Sequence, residues 1–247
     1  MEHEDMNQRA EELISLLSSY GIEASPNQIA LLLQHLNLVI EKNKEFNLTR
    51  IVDLEDALSL HILDSLLPLK LEAFSSIPSP SFVDIGTGAG FPGIPLGIMT
   101  GYHGLLIDSV GKKVEADKHF IEQLSLSALF DVRKMRAEEL DKSMTSAFGF
   151  VIARAVAQTD VLLEYAQPFL KMGGLSIIEK AHPSDDEIAA AARAAALCGM
   201  TMVSRETFDL PRDLGHRELL VFKKTGRSKI RLPRPVGIAK SQPLGAQ

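Results

Sequence analysis

The chain has 247 residues, 45% hydrophobic and 23% charged, enough to bury one generous core and too apolar for a disordered chain. Its 26 Lys and Arg against 32 Asp and Glu give a formal charge of −6, unlike the basic footprint usual in nucleic-acid binders. A lone cysteine, Cys198, excludes a disulfide framework and a cysteine zinc cluster, so no metal is expected.

The opening MEHEDMNQ is acidic and polar, unlike a secretion signal, and no run approaches the ~20 apolar residues of a membrane span. A cytoplasmic, monomeric protein without a membrane role is expected. Leu13, Leu16, Leu17 and Tyr20 recur at helical spacing, with Gly21 as a stop. Ser25-Pro26-Asn27-Gln28 then predicts a helix start, with Ser25 as cap, Pro26 in the first position and Gln28 closing a capping box. A third helix is expected from Asp53, carrying His61-Ile62-Leu63-Asp64-Ser65-Leu66. Residues 1–70 therefore read as a helical extension.

After the breaker-rich stretch 75–81, strand and helix signals alternate. Strands are expected at 82–85, 104–107, 130–133, 148–152, 175–178, 201–204 and 218–222. Helices are expected near 112–124 and 160–170, and from a second capping box at Ser184-Asp185-Asp186-Glu187 to Gly199. The pattern predicts an α/β, Rossmann-like domain over 71–222: a mostly parallel seven-stranded sheet with helices on both faces. Ligands of such sheets sit at the carboxyl ends of the strands, where the strand order reverses.

The remaining segment, 223–247, has a different charge. It holds Lys223, Lys224, Arg227, Lys229, Arg231, Arg234 and Lys240 and no acid, leaving the first 222 residues with 19 basic and 32 acidic side chains, net −13. Such a run is often a solvated tail. On an acidic body it also predicts an extended arm for neutralising nucleic-acid phosphates, whose deletion should weaken that binding.

The most informative stretch is Phe82-Val83-Asp84-Ile85-Gly86-Thr87-Gly88-Ala89-Gly90-Phe91-Pro92-Gly93-Ile94-Pro95-Leu96. A strand ends in an acid, glycines alternate and a helix follows; glycines let the backbone turn sharply against a ligand. Gly88-Ala89-Gly90-Phe91-Pro92-Gly93 satisfies GxGxxG, so an NAD-dependent oxidoreductase is one reading. Its register is poor, because Gly86 already follows the strand, and Asp84 would repel a pyrophosphate. The same acid suits the amino group of S-adenosylmethionine. Asp108 ends the second strand, where ribose hydroxyls want an acceptor. Glu138, with the Ala137 backbone beside it, lies where an adenine amine could be met. A non-catalytic nucleotide-binding protein is a further reading that these residues leave open.

Phe46-Asn47-Leu48-Thr49, His61-Ile62-Leu63-Asp64-Ser65, the GTGAGFPGIPL loop, Asp108-Ser109-x-Gly111-Lys112-Lys113, Arg136-Ala137-Glu138-Glu139 and Ile152-Ala153-Arg154-Ala155 occur in order. Over roughly 40–222 the sequence resembles the RsmG (GidB) family of bacterial 16S ribosomal RNA methyltransferases. The resemblance implies the class I methyltransferase fold, S-adenosylmethionine as cofactor, the small ribosomal subunit as partner and N7 of a guanine as acceptor. Carried over by position, it implicates Gly86 and Phe91 in the loop, Ala137 and Glu138 at the adenine, and Arg154 at the active site. Arg154 could instead form a structural ion pair, and His61 with Asp64 a structural hydrogen bond. The sequence departs from the family at Ala181, usually glycine, and at Glu115-Ala116-Asp117, usually more apolar and basic, which weakens any phosphate contact on that helix. Guanine N7 carries no proton, so in-line transfer to it needs no general base.

Overall fold

The computed structural model describes residues 2–51 and 53–246; Met1, Val52 and Gln247, which fall in the expected helical extension and basic tail, lie outside them. Helices α1 (Glu2–Ser19) and α2 (Pro26–Asn43) open the chain. The box at the start of α2 forms in both directions, with Gln28 N–H donating to Ser25 Oγ and Ser25 N–H to Gln28 Oε1. The third helical stretch is irregular: α3 (Leu54–Ala57), capped by Asp53, runs through a π-helical turn (Leu58–Leu63) into α4 (Asp64–Leu66) and a 3-10 turn (Leu67–Lys70).

The sheet follows as β1 (Ser81–Ile85), α5 (Gly93–Thr100), β2 (His103–Asp108), α6 (Gly111–Gln123), β3 (Phe130–Lys134), β4 (Phe148–Arg154), α7 (Thr159–Ala166), β5 (Leu170–Lys180), α8 (Asp185–Cys198), β6 (Met200–Asp209) and β7 (His216–Lys224). The strand order is β3-β2-β1-β4-β5-β7-β6. Strands β1 to β5 are parallel, and β7 pairs antiparallel with both β5 and β6. The order reverses between β1 and β4, so the ligand crevice of this topology lies above those two strands.

Alternation along each strand feeds two cores. Phe82, Phe150, Leu175 and Val221 pack with Leu13, Leu36, Ile62 and Leu66, so the N-terminal helices share one core with the sheet. Val83, Val151, Ile178 and Leu220 face the other way, against Leu163 of α7 and Ala194 of α8. The small residues of α8 let it lie close on the sheet.

Four expected elements differ in extent and one in its cap. The helix expected at 160–170 stops at Ala166, and Leu170 already pairs with Phe148, so the strand expected at 175–178 is the inner part of an 11-residue strand. Strands β6 and β7 extend well past the expected 201–204 and 218–222, because β6 is an edge strand whose alternate residues face solvent and carry polar side chains. At α8, Ser184 accepts from Glu187 N–H, but Glu187 does not reciprocate: its carboxylate takes Thr159 and Lys180 instead.

The last expectation concerns the basic tail, which is not an extended arm. Lys224 lies at the end of β7, buried, its ammonium donating to the carbonyls of Gln167 and Leu170. The chain then folds back along α7 and α8 and forms α9 (Ile238–Ser241), with Ala239 and Leu244 seated in the second core. Among the described residues no helix is long and apolar enough to cross a membrane, and no group of three or more His, Cys, Asp or Glu is placed to hold a metal.

Candidate active site

Two cavities open at the carboxyl ends of the parallel strands and meet at Ala155, the residue after β4. Ala155 has φ 56°, a left-handed conformation that an L-residue holds only where its surroundings impose it.

The first cavity, about 260 Å³, collects Gly86, Asp108, Ala137 and Glu138. Gly86, the first residue of the glycine loop, lines it beside Ile85. Gly86 has φ 75° and its N–H donates to Ile107 O, so the chain turns off the sheet as soon as β1 ends. A Cβ at Gly86 would lie 2.6 Å from a Val156 methyl carbon, so glycine is needed for space as well as conformation. This turn falls at Gly86, two residues before the first glycine of the dinucleotide pattern.

Asp108 ends β2 with both oxygens engaged. Oδ1 accepts from Val110 N–H at 2.8 Å and Oδ2 from Gly88 N–H at 3.3 Å, with the Lys113 ammonium 3.9 Å away. Gly88 therefore orients Asp108 and does not itself line the cavity. Across from it, Glu138 Oε1 accepts from Gly237 N–H at 3.1 Å. Burial and the neighbouring Glu138 carboxylate raise the Tyr165 phenol above its ordinary range.

Asp84 lies elsewhere than the sequence reading places it. Its side chain is fully buried beneath the loop, away from the cavity, and Oδ2 accepts from Gly93 N–H at 2.9 Å. Burial lifts its pKa to about 7. The acid ties strand end to helix start, and its expected direct contact with a cofactor amino group is not the arrangement found.

Phe91 is also below the surface. It stacks on His61, with ring centroids 4.5 Å apart, and lies 5.9 Å from the Arg154 guanidinium. His35 packs on it at 4.5 Å and hydrogen-bonds the Ala89 carbonyl. Burial lowers both histidines to about 3, Arg154 adding to the effect at His61. Both rings are therefore neutral supports for the loop.

The second cavity, about 350 Å³, contains Arg154. Its guanidinium bonds Asp64 Oδ2 at 3.0 Å and the Leu60 carbonyl at 3.3 Å, while Arg217 takes Asp64 Oδ1 at 2.9 Å. Asp64 thus holds two arginines, and the alternative of a His61–Asp64 hydrogen bond gives way: His61 instead meets the Thr49 hydroxyl at 3.1 Å. Glu179, the penultimate residue of β5, is in register with Arg154, 3.9 Å from its Nε, and neither of its buried oxygens accepts a hydrogen bond. Burial pushes the Glu179 carboxyl well above the usual range. Lys180 and Ala181 complete the wall.

The structure thus unites Gly86, Asp108, Ala137 and Glu138 in one cavity and places Arg154 in its neighbour, with Asp84, Gly88 and Phe91 as supports. Sequence reasoning missed Glu179 and Arg217, and it assigned Lys240, which lines the first cavity, to RNA. Glu179 was reachable by the strand-end argument that found Arg154; Arg217 carries no local signal, and the charge of Lys240 does not reveal its place at a cavity. The departure at Glu115-Ala116-Asp117 is partly internal: Glu115 pairs with Lys118 at the surface, whereas Asp117 is buried with no hydrogen-bond partner and its pKa is raised by burial.

The model of the GidB family, described as rRNA small subunit methyltransferase G, matches residues 28–215. A ribosomal RNA small subunit methyltransferase G from Carboxydothermus hydrogenoformans is 34% identical over 94% of this chain and 98% of its own length. Another of the same name, from Gloeobacter violaceus, is 37% identical over 85% of this chain and 83% of its own. Among solved structures, a geranyl diphosphate methyltransferase in complex with SAM aligns with TM-score 0.52 at 14% identity, covering 72% of this chain and 93% of that one. The [4+2]-cyclase SpnF aligns with TM-score 0.54 at 15% identity, over 83% and 98%. The architecture is that of the class I methyltransferases; that it also serves a cyclase shows that fold alone does not set the reaction.

Proposed function

Since the chain belongs to the GidB family of small-subunit ribosomal RNA methyltransferases, we infer that it transfers a methyl group from S-adenosylmethionine to N7 of one guanine in 16S ribosomal RNA, in the bacterial cytoplasm. The observation that carries this reading is the pair of cavities meeting at Ala155. Asp108 would hold the ribose and Glu138 the adenine of the cofactor in the first cavity, and the second would receive the guanine.

When bound, the cofactor supplies an electrophilic methyl on a cationic sulfur. The protein's own residues supply position and field. Guanine N7 attacks with an in-plane lone pair and releases no proton, so no general base is required. Holding nucleophile, methyl and sulfur in line is the larger part of the catalysis. Arg154, fixed by Asp64, orients what enters the second cavity. The transfer would move positive charge onto the base, and both the buried carboxyl of Glu179 and His61 Nδ1 are left without hydrogen-bond partners in that cavity. Dinucleotide chemistry is disfavoured by the turn at Gly86, which places the loop out of step with a pyrophosphate site.

Small subunits from cells lacking the enzyme, incubated with labelled cofactor and the purified protein, should incorporate label into 16S RNA. Loss of transfer in Arg154→Ala should accompany retained folding. An absence of label with the wild-type protein would overturn the reading.

A further inference from the structure

The segment after β7 does not leave the body of the protein, and its path leads to the first cavity. Arg234 pins it: Nε and Nη2 grip both oxygens of Glu164 at 2.7 and 2.5 Å, on a carboxylate only 2% exposed. A planar two-point pair of this kind fixes orientation as well as position. Further along, Arg193 holds the Gly245 carbonyl at 2.8 Å. Between these anchors the chain reaches the site twice. Gly237, with φ 86°, aims its N–H at Glu138 Oε1, and Lys240 lines the cavity that holds Asp108 and Glu138.

We propose that residues 234–240 are part of the cofactor site: Gly237 fixes the Glu138 carboxylate so that its second oxygen meets the adenine amine, and the Lys240 stem closes the nucleoside cavity. The chemistry supports each part. A carboxylate with one oxygen held by a backbone donor is oriented before the ligand arrives, which lowers the cost of binding. Lysine covers apolar surface with its methylenes while its ammonium stays in water, which suits the exposed Lys240 and the flat face of a purine. Arg234 acts through Glu138 and is a positioning residue. The proposal rests on the cofactor reading given above, and it gives this segment a role beside the RNA arm or solvated tail expected from its charge.

The test uses the full-length protein and S-adenosylhomocysteine, the stable product. Hydrogen exchange should slow at amides 237–242 when the product is added, and calorimetry should show weaker binding in two variants. Arg234→Ala, which frees the segment, should raise the Kd about tenfold, the worth of a hydrogen bond to a charged group. Lys240→Ala, at an exposed side chain that cannot unfold the protein, should raise it about threefold. In an Arg234→Ala and Glu138→Ala double variant the two losses should not add, a result that a merely structural anchor would not produce. Exchange at 237–242 unaffected by the product, or Kd values within twofold of wild type for both single variants, would overturn the proposal. Failure of the wild-type protein to bind the product at all would reject the cofactor reading and this proposal with it.

Discussion

The two cavities that meet at Ala155 are built by opposite strategies. The first cavity is assembled from the ends of β1 to β4 and closed by the segment after β7, and its carboxylates are oriented in advance by backbone amides: Asp108 by Val110 and Gly88, Glu138 by Gly237. Its neighbour is assembled from segments far apart in the chain. Asp64 from α4, Arg154 from β4 and Arg217 from β7 form a charged chain, and Glu179 stands beside it unsatisfied. On the proposed reading the first cavity binds and the second reacts: the first rests on strand ends completed by one distant segment, whereas the second is gathered from three distant segments by charge pairing.

The largest expected effect breaks the comparison directly. Arg154→Ala should lower kcat about a hundredfold or more, the usual cost of one preorganised transition-state contact. S-adenosylhomocysteine affinity should change far less, measured by steady-state kinetics beside calorimetry. Equal losses in both would mean that the cavities work as one.

Gly86→Val tests the other side. The left-handed backbone and the Val156 methyl groups leave no room for a side chain, so the loop must shift. Cofactor affinity should fall about tenfold or more, from strain of 1–3 kcal/mol. Unaltered affinity would show that the turn at Gly86 does not shape the cavity.

Asp84→Asn examines the support beneath. The folded pKa of Asp84 is about 7 against an ordinary 3.8, so folding takes up a proton between those values. Its contribution to stability therefore fades as pH rises from about 4 to 7. The variant escapes that loss, so its unfolding free energy should gain on the wild type by about 1 kcal/mol per pH unit across the window. Denaturant titrations at four pH values would reveal it; a difference independent of pH would contradict the account.

The smallest effect concerns RNA. Two of the seven cations in 223–247 are committed to the fold, Lys224 to backbone carbonyls and Arg234 to Glu164, while Arg227, Lys229 and Arg231 are exposed. Replacing those three by Gln should flatten the salt dependence of RNA binding by at most about two to three units of slope. Thermal stability should hold.

These contrasts also explain what the sequence made readable. The parallel sheet announced itself through apolar runs alternating with helical periodicity, and the turn at the first cavity through a glycine directly after a strand. The start of α2 was legible because a capping box is a four-residue pattern. The ends of β5 and β6 were not: Leu170 joins the sheet only because Phe148 lies beside it, and the polar residues of β6 are tolerated at an exposed edge. Asp84 and Asp108 look alike in one dimension, each an acid at a strand end. Only the direction of the side chain separates a buried tie from a cavity wall. The basic segment misled for a related reason, since charge composition does not reveal a buried partner such as Glu164.

The central claim is the acceptor atom. Methylated 16S RNA, reduced with borohydride and treated with aniline, breaks at 7-methylguanine, and primer extension maps the break. The account predicts one new, enzyme-dependent stop at a single guanine, absent with Arg154→Ala. Label incorporated into 16S RNA without any such cleavage would place the methyl group on another atom and contradict it.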